Sequence, residues 1–122
     1  MHILVTGGAG FIGSNFIRYW LRKYPKSHVV NLDLLTYAGN LENLLDIVSN
    51  PNYICVQGDI ANTALVTELL KKNSISTVVN FAAESHNGRA MTEPDIFVKT
   101  NVLGTQGLLE ACRLAGNIRL HH

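Results

Sequence analysis

The sequence predicts an α/β fold, a doubly wound parallel sheet, and three observations predict it. A short apolar run, Ile3 to Thr6, leads directly into a glycine-rich turn and then an amphipathic stretch. Strand-like runs then alternate with helical patterns along the chain, as helical crossovers between parallel strands require. The second of these runs ends on an acidic residue, Asp33, twenty positions after the last glycine of the turn.

The first strand, Ile3 to Thr6, is apolar and β-branched enough to be buried. Gly7, Gly10 and Gly13 follow at a spacing of three, and Phe11 to Tyr24 reads as a helix stopped near Pro25. Strand, tight turn and helix start together make a phosphate-binding device, because the free first-turn amides and the helix dipole converge on one spot. In this reading Gly7 lets the chain turn sharply, Gly10 lets a pyrophosphate approach the backbone, and Gly13 lets the helix pack close to the strand. The same letters also parse as Gly8-x-Gly10-x-x-Gly13, so spacing leaves the dinucleotide-binding subfamily open.

The second strand runs from about His28 to Asp33. Asp33 stands where a carboxylate accepts hydrogen bonds from an adenosine ribose diol. Leu34 and Leu35 follow it, with no Arg or Lys near. A 2′-phosphate there would meet a carboxylate with no cation to offset it, which favours NAD over NADP.

A loop, Leu34 to Asn40, leads to a helical pattern with Leu41, Leu44, Leu45 and Val48 on one face, and Asn50-Pro51-Asn52 ends it in a turn. The third strand is Tyr53 to Gln57, followed by Gly58-Asp59-Ile60. Asn62 or Thr63 suits the cap of a helix carrying Leu65, Val66, Leu69 and Leu70. Thr77 to Ala83 reads as the fourth strand, Glu84 to Glu93 as a loop, and about Pro94 to Ala115 as a long helix. Pro94 fits its first turn and Gly116 its end. Asn117 to His122 starts a fifth strand. The expected order is 3-2-1-4-5, a Rossmann-like sheet truncated at its fifth strand. Gly7, Asp33, Asp59 and the Ala82-Ala83-Glu84-Ser85 stretch then meet on one rim, over the carboxyl ends of the strands.

Composition narrows the function classes. At 122 residues the chain suffices for one domain with a real core, read here as a single, incomplete NAD-binding domain (1–122) without a substrate domain. With 47% hydrophobic and 16% charged residues it is globular rather than disordered. The net charge of +1, spread along the chain, points to neither nucleic acid nor an acidic membrane as partner. No apolar run is long enough to cross a bilayer, and the start of the chain is unlike a signal peptide. Cys55 and Cys112 read as small core residues of a reducing compartment, which places the protein in the cytoplasm, and no His or Cys shows metal-ligand spacing. Glu84, Ser85 and His86 are consecutive, and neighbours in an extended segment point to different sides, so they make no Ser-His nucleophile pair.

These residues carry a family resemblance. Thr6 to Phe16 (T-G-G-A-G-F-I-G-S-N-F), Asp33 to Leu44 (D-L-L-T-Y-A-G-N-L-E-N-L), Gly58 to Ile60 (G-D-I), Phe81 to His86 (F-A-A-E-S-H) and Thr100 to Thr105 (T-N-V-L-G-T) resemble the N-terminal part of the dTDP-glucose 4,6-dehydratases. These are lyases of the extended short-chain dehydrogenase/reductase class. The resemblance covers about the first third of such a protein. It implies that Phe11 and Ile12 meet the pyrophosphate through their backbone. Asp33, Leu34, Leu35 and Thr36 would surround the adenosine ribose, and Asp59 and Ile60 would flank the adenine. Phe81, Ala82, Ala83, Glu84 and Ser85 would run under the cofactor toward the nicotinamide. Thr100 would reach it from the long helix, and Ser85 would also touch the sugar of the substrate, dTDP-glucose.

The implied reaction converts dTDP-glucose to dTDP-4-dehydro-6-deoxyglucose and water by internal hydride transfer through NAD. Its Tyr-x-x-x-Lys and Thr-Asp-Glu motifs are expected beyond His122 and not within the chain, which leaves no catalytic residue here and this chain alone inactive. The long helix is implied to be half of a homodimer interface, incomplete here, with Phe97, Leu108, Leu109 and Cys112 under-covered. Two departures fall inside the likeness. Leu34 stands where the family usually has Lys, and Asn87-Gly88 stands where it has Val-Asp, reading as a flexible turn beside the rim. A related nucleotide-sugar epimerase and a non-catalytic nucleotide-binding module are the alternatives; the Y-A-G-N-L and A-A-E-S-H pieces argue against the epimerase.

Overall fold

The computed structural model describes residues 1–36 and 39–122 of the chain. Its strands are β1 (His2–Thr6), β2 (His28–Asp33), β3 (Tyr53–Gln57), β4 (Thr77–Asn80) and β5 (Arg119–His121). They form one parallel sheet in the expected order β3-β2-β1-β4-β5. The register sets Thr6 of β1 opposite Leu32 of β2 and Asn80 of β4, so all three strand ends finish on one rim.

Alternation along the central strands builds two apolar layers. Ile3, Val5 and Val29 face α1 (Phe11–Lys23) and pack with its Ile17 and Leu21. Leu4, Val30, Leu32 and Val78 face the other way. They pack with Val66, Leu69 and Leu70 of α2 (Thr63–Lys72) and with Leu108, Ala111 and Cys112 from the long helical stretch. Of the two candidate caps of α2 it is Asn62 that acts: its Oδ1 accepts the Leu65 N–H at 3.1 Å. Arg22 and Lys23 close α1, where its dipole favours cations.

Several expectations need correction. The pattern from Leu41 to Val48 forms a 3-10 turn, Leu41–Leu44, and then further turns. Leu41, Leu45 and Val48 are exposed, while Leu44 and Ile47 are buried. Leu44 and Ile47 are three apart, and a coil of three residues per turn brings such a pair onto one side. Strand β4 stops at Asn80 rather than Ala83, because the Asn80 side chain accepts the Ala82 N–H at 3.1 Å and a bond from the Thr6 hydroxyl, bending the chain there. The stretch expected as a loop contains a short helix, α3 (Asn87–Thr92), so Asn87-Gly88 is its first turn rather than a flexible link.

The long helix is present but not uniform. α4 (Pro94–Phe97) runs through a π-helical segment, Val98–Gly104, into α5 (Thr105–Leu114). Leu108 and Cys112 are not under-covered: both are buried against α2 and the sheet, whereas Val98, Val102 and Leu109 are exposed. Cys55 is also corrected, since it lies exposed on β3, at the end of the strand order. Burial pushes the Cys112 thiol above its ordinary range. Iodoacetamide is therefore expected to label Cys55 in the folded protein and to spare Cys112 until denaturant is added. Intact-mass spectrometry reads this, and equal labelling of both thiols would contradict the packing of α5.

Candidate functional site

The rim over the carboxyl ends of the strands holds an open cleft. Gly7 and Gly10 form its wall at the glycine turn, and Asp33, Leu34 and Thr36 line it from the end of β2. Asp59 and Ile60 come from beyond β3. Phe81, Ala82, Ala83 and Glu84 come from beyond β4, and Thr100 from the π segment. Residues far apart in sequence thus converge as the strand topology requires.

The other sequence-derived residues lie elsewhere. Phe11 and Ile12 open α1, are 83% and 66% exposed, and lie outside the lining of the cleft. With Gly13 they carry the first-turn amides that a helix leaves without an intrahelical carbonyl. Gly13 itself is buried behind the turn. Leu35 adopts a left-handed φ of 58°, and its side chain packs toward the α1 layer rather than lining the cleft. Ser85 is exposed and outside the lining residues. Tyr37 and Ala38, part of the quoted resemblance, lie outside the described residues.

The turn is held from several sides. Gly7 takes a φ of 68°, and a side chain there would meet the backbone of Ala82 at 2.6 Å. Asp33 Oδ2 accepts the Ala9 N–H and Asp33 Oδ1 the Leu35 N–H, each at 2.8 Å. The Ala9 carbonyl accepts from Asn40 N at 3.2 Å and Asn43 Nδ2 at 2.9 Å. Asp33 is therefore a scaffold for the turn as well as a lining residue of the cleft. Asp33→Asn is expected to weaken NAD about tenfold or more, as loss of a charged acceptor does, and also to cost about 1–3 kcal/mol of stability as one loop N–H loses its acceptor. Calorimetric titration beside urea unfolding checks both, and an unchanged unfolding midpoint would contradict the scaffold role.

Sequence reasoning missed three contributors. Asn101, in the π segment, donates from Nδ2 to the Glu84 carbonyl and accepts the Glu84 N–H at Oδ1, both at 2.9 Å. This clamp ties the exit of β4 to the helical turn that carries Thr100, and π segments recur where a helix is bent to serve a site. Lys99 and Arg89 line an adjoining cavity with Leu34, Thr36 and Asp59. Lys99 Nζ lies 4.0 Å from Asp59 Oδ2, and Arg89 Nη1 lies 4.0 Å from Glu84 Oε2. Two cations thus reach, from distant elements, the cavity that Leu34 and Thr36 line. No spacing in the sequence signals them.

The Tyr-x-x-x-Lys spacing does occur once within the chain, contrary to expectation, at Tyr19 and Lys23. Lys23 Nζ donates to Tyr19 Oη at 2.7 Å on the exposed side of α1, and that bond raises the Lys23 pKa. Lys23 borders a hollow with Met1 and Lys26, at the end of α1 opposite the glycine turn. The pair is remote from the cleft and carries no chemistry there. Among the described residues no group of His, Cys, Asp or Glu is arranged to hold a metal ion, and no helix is long and apolar enough to cross a membrane.

Residues 4–122 match the protein family described as GDP-mannose 4,6 dehydratase. The chain is 53% identical to a dTDP-glucose 4,6-dehydratase of Xanthomonas campestris over 110 residues, 90% of this chain and 31% of that protein. It is 48% identical to one of Mycobacterium tuberculosis, over all of this chain and 35% of that protein. Among solved structures, the dTDP-glucose 4,6-dehydratase of Streptomyces venezuelae with NAD bound superposes with a TM-score of 0.93 at 44% identity, covering 100% of this chain and 38% of that one. A UDP-glucose-4-epimerase of Stenotrophomonas maltophila with bound NAD superposes at 0.88 with 30% identity, covering 98% of this chain and 35% of that one. The chain spans about a third of the length of the relatives it matches.

Proposed function

We propose, from the premise that this chain belongs to the GDP-mannose 4,6 dehydratase family, that it is the NAD-binding portion of a dTDP-glucose 4,6-dehydratase. The observation that carries the reading is the cleft itself, in which a glycine turn, a helix start and a fixed carboxylate face the ends of four strands. The residues fit the cofactor. A diphosphate would be held by Gly10 and the amides of Phe11 and Ile12, where dipole and donors favour an anion. The ribose diol would meet the Asp33 carboxylate, and Asp59 with Ile60 would border the adenine. Phe81 to Glu84 and Thr100 would lead toward the nicotinamide, and Ser85 would lie toward the sugar. NAD, when bound, supplies the acceptor and donor for a hydride that leaves C4 of the glucose unit and returns at C6 after water is lost across C5 and C6.

This chain's own part is to bind and orient. Asp33 and Ala9 hold the turn, and Asn101 holds the floor under the nicotinamide end. The greater identity to dehydratases than to the epimerase favours the dehydratase reading. The exposed Val98, Val102 and Leu109 support a homodimer through the long helix, and the cytoplasm is the proposed location. No turnover of dTDP-glucose is expected from the 122 residues alone. Turnover is expected from a chain extended through the Tyr-x-x-x-Lys and Thr-Asp-Glu motifs, with dTDP-4-dehydro-6-deoxyglucose as product. Product from the 122 residues would overturn the assignment of the catalytic groups. A C4 epimer from the extended chain would replace the dehydratase reading with the epimerase one.

A further inference from the structure

Beneath the glycine turn lies a polar group that the cofactor contacts do not use. Asn31 sits in β2 between Val30 and Leu32, and it is fully buried. A buried amide without partners is costly, so each of its bonds counts. Asn31 Oδ1 accepts the Gly8 N–H at 3.0 Å, and Asn31 Nδ2 donates to Tyr53 Oη at 3.0 Å. Nδ2 is also 3.8 Å from Cys55 Sγ. The Gly8 N–H can only donate, so the oxygen of Asn31 must face it, and the amide nitrogen then needs a buried acceptor. Tyr53, from the neighbouring strand, supplies that acceptor. Any side chain on Gly8 would collide with the Asn31 amide.

The two glycine parsings are thereby separated. Gly7 takes the left-handed turn, Gly8 makes room for an amide beneath the turn, and Gly10 lines the cleft.

We propose that Asn31 is the positioning residue of the glycine turn. Its oxygen fixes Gly8, Tyr53 anchors its other end, and together they hold the turn in the shape that receives a diphosphate. This rests on the dinucleotide reading above. Tyr53 lies two strands from β1 in the sheet order, so its effect on a ligand passes through Asn31.

The test uses the 122-residue protein, its Tyr53→Phe variant and its Asn31→Val variant, titrated calorimetrically with ADP and with adenosine, which lacks the diphosphate. Unfolding curves establish that each variant is folded at the titration temperature. Tyr53→Phe is expected to weaken ADP about fivefold while adenosine changes less than about twofold, the loss of one neutral hydrogen bond acting on the diphosphate alone. Asn31→Val is expected to weaken ADP about tenfold or more with the same selectivity. A merely structural role would lower the melting temperature and leave the ratio of the two affinities unchanged. An unchanged ADP affinity in folded Tyr53→Phe, or equal loss of both ligands, overturns the proposal. Should Asn31→Val fail to fold, Tyr53→Phe decides it. Failure of the unaltered protein to bind ADP and NAD would instead remove the dinucleotide reading, and the positioning role with it.

Discussion

Gly10→Val is expected to abolish NAD binding while leaving a protein that unfolds cooperatively near the original midpoint. Gly10 has a φ of −75° and a ψ of 174°, extended backbone that valine adopts readily. Its N–H bonds to the Gly7 carbonyl at 3.2 Å, and its carbonyl accepts from Ser14 at 3.0 Å; neither bond needs a glycine. Valine is a poorer helix cap than glycine, which costs about 1 kcal/mol or less of stability. Gly10 lines the cleft, however, and a side chain there is expected to take the space of the diphosphate. The affinity is expected to fall at least about a hundredfold, about 2.8 kcal/mol. Titration and a urea curve on the same preparation check both halves. Normal NAD binding by folded Gly10→Val would remove the turn from the binding site.

Gly13→Val is expected to do the opposite and prevent stable folding. A side chain there would press on the Gly7 carbonyl and stand 2.7 Å from the Gly8 Cα, and both are backbone atoms of the turn that cannot rotate away. Overpacking of this kind costs about 1–3 kcal/mol where neighbours can shift and more where they cannot. About 3 kcal/mol or more is expected, a large share of the 5–15 kcal/mol that stabilises a typical domain. The urea midpoint, followed by circular dichroism, measures it. A midpoint near that of the unaltered protein would contradict the close approach of α1 to the turn.

The sheet order and the converging rim were legible because strands and helices alternate and each central strand is a mainly apolar run. Periodicity failed at Leu41 to Val48, where the leucine spacing suits an α-helix but the buried pair, Leu44 and Ile47, suits a 3-10 coil. Cys55 misled because β3 has the composition of an inner strand, and that composition outweighed the expected order, which already puts the strand at the edge of the sheet. Asn31 was visible as a polar residue in an apolar strand, yet its partners are 23 residues back and 22 residues on. The left-handed Leu35, the π segment that carries Thr100, and the cations Arg89 and Lys99 depend on tertiary placement, which no local pattern encodes.

The most direct test of NAD binding by this chain is a calorimetric titration of the folded 122-residue protein with NAD, with a thermal melt at each ligand concentration. Saturable binding at one site is expected, with a melting temperature that rises with NAD because only the folded rim holds it. A cooperatively folded protein that gives no binding heat and an unchanged melting temperature up to about 1 mM NAD, where even a weak specific site is half filled, would contradict it.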